Sequence, residues 1–149
     1  MILQNSTLSL IKCIVFKNIV YLCGDKIEDN MIAIDDVKTF LNQFNIKARV
    51  FGIRFRDDRP KNREAILELE ITHLQREEIV KNLQVQDYVE GPVVDVLHKE
   101  GEMWVFGRDV KGQEVYIKIT LGYENDQAIC ISFHIAEHPL VYPFKDIEL

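Results

Sequence analysis

Residues 102–134, EMWVFGRDVKGQEVYIKITLGYENDQAICISFH, contain three runs rich in β-branched and aromatic residues, separated by the turn sequences VKG and GYEND. Apolar and polar residues alternate along the second and third runs, as is typical of strands with one buried face. The stretch therefore predicts a three-stranded antiparallel meander with strands at residues 102–109, 113–121 and 127–134.

The alternation also predicts which side chains share a face of this sheet. In the middle strand the apolar set is Val115, Ile117, Ile119 and Leu121, and the opposite set is Tyr116, Lys118 and Thr120. In the last strand the apolar set Ile129, Ile131 and Phe133 opposes Cys130, Ser132 and His134. Because a slip of one residue would bury the polar sets, Tyr116 must lie opposite His134 or Ser132. Tyr116, Lys118 and His134 are thus predicted to lie within a few ångströms of one another.

These three side chains form a candidate site for acid–base chemistry on a phosphodiester. A ribose 2′-hydroxyl would attack the adjacent phosphorus, His134 would serve as base or acid, and Lys118 or an arginine would hold the phosphorane oxygens. The spacing permits either order of roles for Tyr116 and His134. The alternative is that His134 is a structural histidine with satisfied hydrogen bonds.

Upstream of the meander, the segment IDDVKTFLNQF repeats apolar residues at helical spacing, and Asp35 or Asp36 is placed to cap the first turn. The following IKARVFGIRF (residues 46–55) alternates with period two but changes phase, which predicts a strand with a bulge at Phe51–Gly52. Such a bulge would direct Lys47, Arg49, Arg54 and Arg56 to one face. A strand with charges on both sides is the alternative.

Two further helices are predicted before the meander. NREAILELE reads as a short helix capped by Asn62, and Thr72 and Gln75 have capping-box spacing at the start of a helix that buries Ile79, Val80 and Leu83. Residues 86–102, QDYVEGPVVDVLHKEGE, read as a connecting loop because Gly91-Pro92 interrupts any helix.

Composition places the chain among globular domains, and its charge is unevenly distributed. The 149 residues include 18 basic and 24 acidic side chains, for a net charge of -6. The three cysteines (Cys13, Cys23 and Cys130) have neither the spacing of a disulfide framework nor that of a metal-binding knuckle. Their spacing favours a reducing, cytoplasmic setting. Residues 37–63 nevertheless carry eight basic and two acidic groups, whereas residues 64–149 carry seven and 17. The basic block is either a phosphate-steering patch or a solvated face that balances acids elsewhere.

The apolar run LSLIKCIVFKNIVYLC (residues 8–23) fits a secretion signal poorly, because its lysines lie inside the run and no cleavage-site pattern follows. It is also short for a membrane span, so no membrane association is expected. We interpret it as a strand, hairpin or short helix, or as an extension (residues 1–31) ahead of a domain at residues 32–149.

The remaining motifs point to binding rather than to cofactors. His134 and His138 have H-x-x-x-H spacing at a strand end without a third ligand, so no metal is expected. Trp104 is either a core residue or a base-stacking platform. The proline-rich tail from His138 onward is predicted to lie over the sheet edge, where Lys145 would reach the site.

The strings EVYIKI and ICISFH resemble the C-terminal strands of the motility quorum-sensing regulator toxins, which belong to the RelE-like superfamily of toxin ribonucleases. IDDVKTFLNQF, EEIVKNLQVQDY and MWVFG are similar to other parts of that family, and the resemblance covers residues 32–149. It implies a RelE-like α+β fold, with an antiparallel sheet and helices on one face. It also implies an mRNA interferase that cuts single-stranded mRNA without a cofactor, inhibits growth, and is neutralised by a cognate antitoxin, expected to be a DNA-binding helix-turn-helix protein.

The family's functional tyrosine falls on Tyr116, and its C-terminal functional lysine falls near His134 or is replaced by Lys145. The sequence departs from the family here, because SFK has become SFH, and the family's functional glutamine and second lysine have no counterpart near Val105 and Glu90. We therefore expect a histidine-centred site with Tyr116, His134 and Lys118 as catalytic residues. The candidate RNA-binding residues are Arg54, Arg56, Arg108, Lys145, His138 and Trp104. The alternatives are a non-catalytic module that binds a DNA-binding antitoxin, and a small structural domain without a nucleic-acid role.

Overall fold

A computed structural model describes residues 15–16, 19–20, 32–94 and 101–148. The chain divides into two compact units, residues 1–31 and residues 32–149. In the first unit, strands β1 (Val15–Phe16) and β2 (Ile19–Val20) pair antiparallel. The rest of the run at residues 8–23 lies outside the described residues. Among the described helices, none has both the length and the apolar character needed to cross a membrane.

The second unit combines helices with one five-stranded sheet. Its helices are α1 (Ile34–Phe51), α2 (Pro60–Glu68), α3 (His73–Lys81) and a 3-10 helix (Val85–Asp87). Its strands are β3 (Ile53–Phe55), β4 (Tyr88–Val94), β5 (Glu102–Val110), β6 (Gln113–Thr120) and β7 (Ala128–Ile135). The sheet order is β3-β7-β6-β5-β4. Side chains from all three α-helices pack in one core cluster with the apolar face of β6.

This architecture confirms the predicted α+β class but corrects the predicted antiparallel sheet. β3 runs parallel to β7, whereas the other neighbouring strands are antiparallel, so the sheet is mixed. Parallel neighbours need a long crossover, and the chain supplies one through the helices and strands that separate β3 from β7.

The meander and its register are confirmed by the structure. Tyr116 pairs with His134 and Lys118 pairs with Ser132 across β6 and β7. The next pair joins Ile119 to Cys130, so Ile131 is a bulge without a partner.

The bulge reverses the facing of the first half of β7. Cys130 joins Phe133 in the helix-side core, whereas Ile129 and Ile131 form a separate cluster with Met103. The prediction that Ile129, Ile131 and Phe133 share a face is therefore wrong.

The predicted strand at residues 46–55 is also wrong over most of its length. The first helix, predicted from IDDVKTFLNQF, continues to Phe51 because the buried Phe44 and Ala48 extend its apolar stripe by one further turn. The helix ends at Gly52, whose φ of 82° few other residues adopt and whose N–H donates to the carbonyl of Ala48. The predicted bulge does not exist, and Lys47 and Arg49 lie on a helix rather than beside Arg54 and Arg56.

The other predicted helices form, with one change of cap. Asn62 does not cap α2: Arg59 precedes the helix, Pro60 is its first residue, and Asn62 is buried inside it. The Thr72–Gln75 capping box at the start of α3 is confirmed, with each side chain bonded to the backbone N–H of the other. At the start of α1 the N-cap residue is Ala33, which offers no side-chain bond to the first turn, and Asp36 instead accepts the backbone N–H of Ala33.

The segment predicted as a loop at residues 86–102 contains an edge strand. β4 pairs antiparallel with β5, with two register shifts on either side of Glu90. A proline is tolerated in an edge strand because one side of that strand needs no ladder donors, so Gly91-Pro92 bends β4 without preventing it. Residues 95–100 lie outside the described part of the chain.

An ion pair between the buried Arg76 and the partly exposed Asp57 joins α3 to the turn after β3. Arg76 is only 2% exposed, and its guanidinium donates to both carboxylate oxygens of Asp57 at 2.6 and 2.9 Å while lying 3.9 Å above the Phe55 ring. The bonds to Arg76 hold the pKa of Asp57 below its ordinary value. The pair fixes the start of the turn at residues 56–59.

Replacing Asp57 tests this fastening. We expect Asp57→Asn to lower the free energy of unfolding by about 2 kcal/mol at neutral pH, because it leaves the buried Arg76 cation without a counter-charge. Urea denaturation measures the change. Because the pKa of Asp57 is lowered in the folded state, the stabilisation is complete above the ordinary carboxyl pKa and is lost as the pH falls through the lowered value, so the two proteins converge in acid. Asp58→Asn is the control, since Asp58 pairs with Arg56 at the surface; an equal loss in both variants would contradict this role of Arg76.

Candidate functional site

Three polar side chains meet on the face of the sheet opposite the helices. β6 supplies Tyr116 and Lys118, and β7 supplies His134 directly opposite Tyr116. The Tyr116 and His134 rings stack, with centroids 5.2 Å apart and planes inclined by 18°, and Lys118 Nζ lies 5.7 Å from the Tyr116 ring centroid. All three are partly exposed. We call them the Tyr116 patch; the structure brings together the three residues that the sequence predicted as catalytic.

The hydrogen bond of His134 fixes which ring nitrogen is available. Its Nδ1 lies 2.9 Å from the carbonyl oxygen of Ile135. A carbonyl oxygen only accepts, so Nδ1 carries the proton that it donates, and the neutral ring leaves a lone pair on Nε2. In this tautomer His134 can take up a proton at Nε2 while Ile135 holds the ring in place.

A carboxylate and a lysine border the patch beyond the end of β7. Lys61, on the first turn of α2, forms an ion pair with Glu137. Lys61 lowers the pKa of Glu137 most, with smaller contributions from the charges of His134 and His138. The candidate RNA-binding residue His138 follows Glu137 in the chain and is exposed.

The C-terminal segment, residues 136–147, crosses the sheet beside the patch; we call it the strap. Glu114 accepts the hydroxyl of Tyr142 at 2.7 Å and the backbone N–H of Leu140 at 3.1 Å. The strap lies against Gly107, where a Cβ atom would clash with Tyr142 Oη. Burial and the neighbouring Glu114 raise the pKa of Tyr142, so its hydroxyl stays a donor.

Arg108 and Lys145 line a cleft of about 360 Å³ at this end of the sheet, together with Asp87, Asp109, Glu114 and Tyr142. Arg108 donates to the carbonyl of Asn82 at 2.5 Å and to Asp87 at 3.1 Å, while Lys145 Nζ lies 5.3 Å from the Tyr142 ring centroid. Desolvation is the largest influence on Asp87 and raises its pKa. Gly107, the cross-strand partner of Tyr116, also lines the cleft, whereas Arg108 pairs with the core residue Val115 and reaches the cleft from the helix-covered face.

Arg54 and Arg56 lie on the other side of the patch and do not join it. Arg54 pairs in the sheet with Ile129, five residues before His134, which corresponds to roughly 16 Å along the strand. Arg54 lies 3.9 Å from an Asp126 oxygen, and Arg56 donates twice to Asp58 at 2.9 and 3.0 Å. Both arginines thus have carboxylate partners.

Trp104 is not part of this site. It lies on the helix-covered face, is 5% exposed, and stacks on Phe40 with ring centroids 4.8 Å apart. Of the two predicted roles, Trp104 therefore has that of a core residue and not that of a base-stacking platform. Cys130 is also buried, which raises its thiol pKa to about 12 and makes it unreactive.

Sequence reasoning missed Glu114, Gly107 and Tyr142. One signal was present: a glycine inside an otherwise bulky strand often marks the close approach of another segment, as Gly107 does. Among the described residues, no group of three or more His, Cys, Asp or Glu side chains is arranged to hold a metal ion.

Comparison of the chain with protein-family models, with curated proteins and with solved structures returned no match.

The contact between Gly107 and the strap can be tested by hydrogen exchange. We expect Gly107→Ala to lift the strap, because the new methyl group would occupy the position of the Tyr142 hydroxyl and the Leu140 side chain. The Leu140 amide should then exchange roughly ten-fold faster or more, as its bond to Glu114 is lost. The Gly112 amide, bonded to Asp109 in the β5–β6 turn, is the internal control. An unchanged rate at Leu140 would contradict the tight packing.

Proposed function

We propose that the chain is a metal-independent endoribonuclease that cleaves single-stranded mRNA, acting as the toxin of a type II toxin–antitoxin system. The observation that carries the proposal is the stack of His134 on Tyr116 beside the Lys118 cation. A base, a second proton-transfer group and a fixed positive charge are what cleavage of an RNA phosphodiester requires. The arrangement of helices and sheet would then be a variant of the RelE-like toxin fold with a mixed sheet, working in the cytoplasm.

The hydrogen bond of His134 Nδ1 to Ile135 supports one of the two orders of proton transfer that the sequence left open. His134 Nε2 removes the proton from the 2′-hydroxyl, whose oxygen forms a bond to the neighbouring phosphorus. The bond from phosphorus to the 5′-oxygen then breaks, and Tyr116 donates its phenolic proton to that leaving oxygen. The products are a 2′,3′-cyclic phosphate and a 5′-hydroxyl end, and proton transfer from His134 restores Tyr116.

Lys118 supports this reaction through its charge. The pentavalent phosphorus intermediate carries an additional negative charge, and an ammonium group on the same face stabilises it. The carbonyl of Ile135 accepts a hydrogen bond from the Nδ1–H group throughout the reaction. It therefore stabilises His134 when the ring becomes positively charged.

The cations on either side of the patch suit a single RNA strand. Arg54, Arg56 and Lys61 lie towards β3 and α2, and Arg108 and Lys145 lie towards the strap. Phosphates on both sides of the scissile bond would thus meet positive charge. The acidic remainder of the chain, with 17 carboxylates after residue 63, suits a basic, DNA-binding antitoxin as partner.

Cleavage without metal is the direct test of this proposal. We expect the purified chain to cut a long unstructured RNA in EDTA, and His134→Ala and Tyr116→Phe each to slow cutting by about 10²–10⁴-fold, because each removes a proton-transfer group. Gel mapping of the fragments should show cyclic phosphate ends. Tyr123→Phe is the matched control, since Tyr123 is exposed in the β6–β7 loop.

The opposite results have defined meanings. RNA left intact by the wild-type chain would favour a non-catalytic module that binds an antitoxin. Full activity in His134→Ala would remove the patch from the mechanism.

Salt dependence tests the phosphate contacts separately from cleavage. The measurement uses the His134→Ala variant, with and without Arg54→Ala, and a single-stranded RNA. We expect the slope of log affinity against log salt concentration to be about 0.7 smaller in magnitude when Arg54→Ala is present, because one phosphate contact is lost. Fluorescence anisotropy gives the affinities. Arg49→Ala removes the same charge from the exposed surface of α1 and should leave the slope unchanged; equal effects of the two substitutions would indicate a diffuse field instead of a contact.

A further inference from the structure

The cleft beside the strap has residues on the same face of the sheet as the Tyr116 patch. Gly107 in its wall is the cross-strand partner of Tyr116, and Glu114 precedes Tyr116 by two residues on the same face, roughly 6.6 Å along β6. Its volume of about 360 Å³ is within the range of ligand pockets. A nucleotide next to the one at the patch would therefore meet this cleft.

The carboxylates of the cleft differ in whether their oxygens already have hydrogen-bond partners in the protein. Glu114 uses both oxygens on the strap. Asp87 is engaged through Oδ2 with Arg108 and with the Gln84 N–H. Asp109 is exposed and accepts the Gly112 N–H through Oδ1, while its Oδ2 has no partner among the described residues. Asp109 is thus the acceptor best placed to receive a hydrogen bond in the cleft.

The other walls fit a nucleotide around that acceptor. The Tyr142 ring offers an aromatic surface, and Arg108 and Lys145 offer positive charge for a phosphate. A carboxylate accepts hydrogen bonds and cannot donate them, so it distinguishes a base that presents an exocyclic amino group from one that presents a carbonyl.

We infer that this cleft is the base-recognition site of the proposed ribonuclease, and that Asp109 selects a neighbouring base with an exocyclic amino group over uracil. The inference rests on the proposed function, because it takes the Tyr116 patch to be the point of cleavage. Asp109 is a specificity residue and takes no part in proton transfer.

Cytosine and uracil provide a matched test, because they differ on this edge by an amino group in place of a carbonyl. DNA oligonucleotides with a single ribonucleotide confine cleavage to one phosphate, and the base on each side of it is set to cytosine or uracil. We expect the wild-type chain to prefer cytosine roughly ten-fold at one of the two positions, the value of one hydrogen bond to a charged acceptor.

The diagnostic variant is Asp109→Asn. Its carbonyl oxygen still accepts the Gly112 N–H, but its amide replaces the free oxygen with a donor, which suits the carbonyl of uracil. We therefore expect the cytosine preference to disappear or reverse. Asp35→Asn removes the same charge from the first turn of α1, and should leave the preference unchanged.

Affinity for the same oligonucleotides, made uncleavable with a 2′-O-methyl group, separates the two proposals. A cytosine preference in binding that Asp109→Asn abolishes supports base recognition, whether or not the chain cuts RNA. If the wild-type chain cuts the oligonucleotides without a base preference, or Asp109→Asn retains the preference, recognition by Asp109 is overturned while the ribonuclease proposal stands. Absence of both cutting and binding overturns both.

Discussion

The side chain of Asn62 holds together the part of the sheet on which the candidate site depends. Its amide nitrogen donates to the carbonyls of Ile131 and Arg56, and its oxygen accepts the N–H of Phe133. The pairing of β7 with β3 ends at Cys130, so Asn62 supplies hydrogen-bond partners to the buried backbone of β7 beyond that point, next to the bulge at Ile131. Because β7 bulges there, its first half turns Cys130 to the helix side while its second half keeps His134 opposite Tyr116.

The same interaction explains what the sequence could and could not predict about the fold. The register of β6 and β7 follows from alternation within the chain, since any slip would bury Lys118, and the structure confirms it. The facing of Ile129 and Ile131 depends on the bulge at Ile131, which no local pattern reveals and beside which Asn62, about 70 residues earlier, is hydrogen-bonded. Asn62 itself was predicted as a helix cap, the commonest use of an asparagine near a helix start, but Pro60 and Arg59 supply the start instead.

The boundary between α1 and β3 shows a second limit of local patterns. Residues 46–51 alternate like a strand, yet Ala48 continues the stripe set by Phe44, and tertiary packing decides in favour of the helix. The candidate site was predictable to the same extent as the register. Tyr116, Lys118 and His134 could be placed together, whereas the strap and its anchor Glu114 could not, because their contacts join a tail to strands that precede it by about 26 to 35 residues.

If the chain binds RNA as proposed, the ion pairs of its basic block decide how, because half of the eight basic residues in that block have carboxylate partners. Lys38, Arg54, Arg56 and Lys61 each have a carboxylate partner, so the local excess of positive charge at residues 37–63 does not produce a strong unshielded field. Exposed pairs of this kind contribute only about 0–1 kcal/mol each, so a phosphate can replace the carboxylate at small cost. Affinity for RNA would then come from exchange of ion partners at defined positions, which ties binding to the geometry of the patch rather than to net charge.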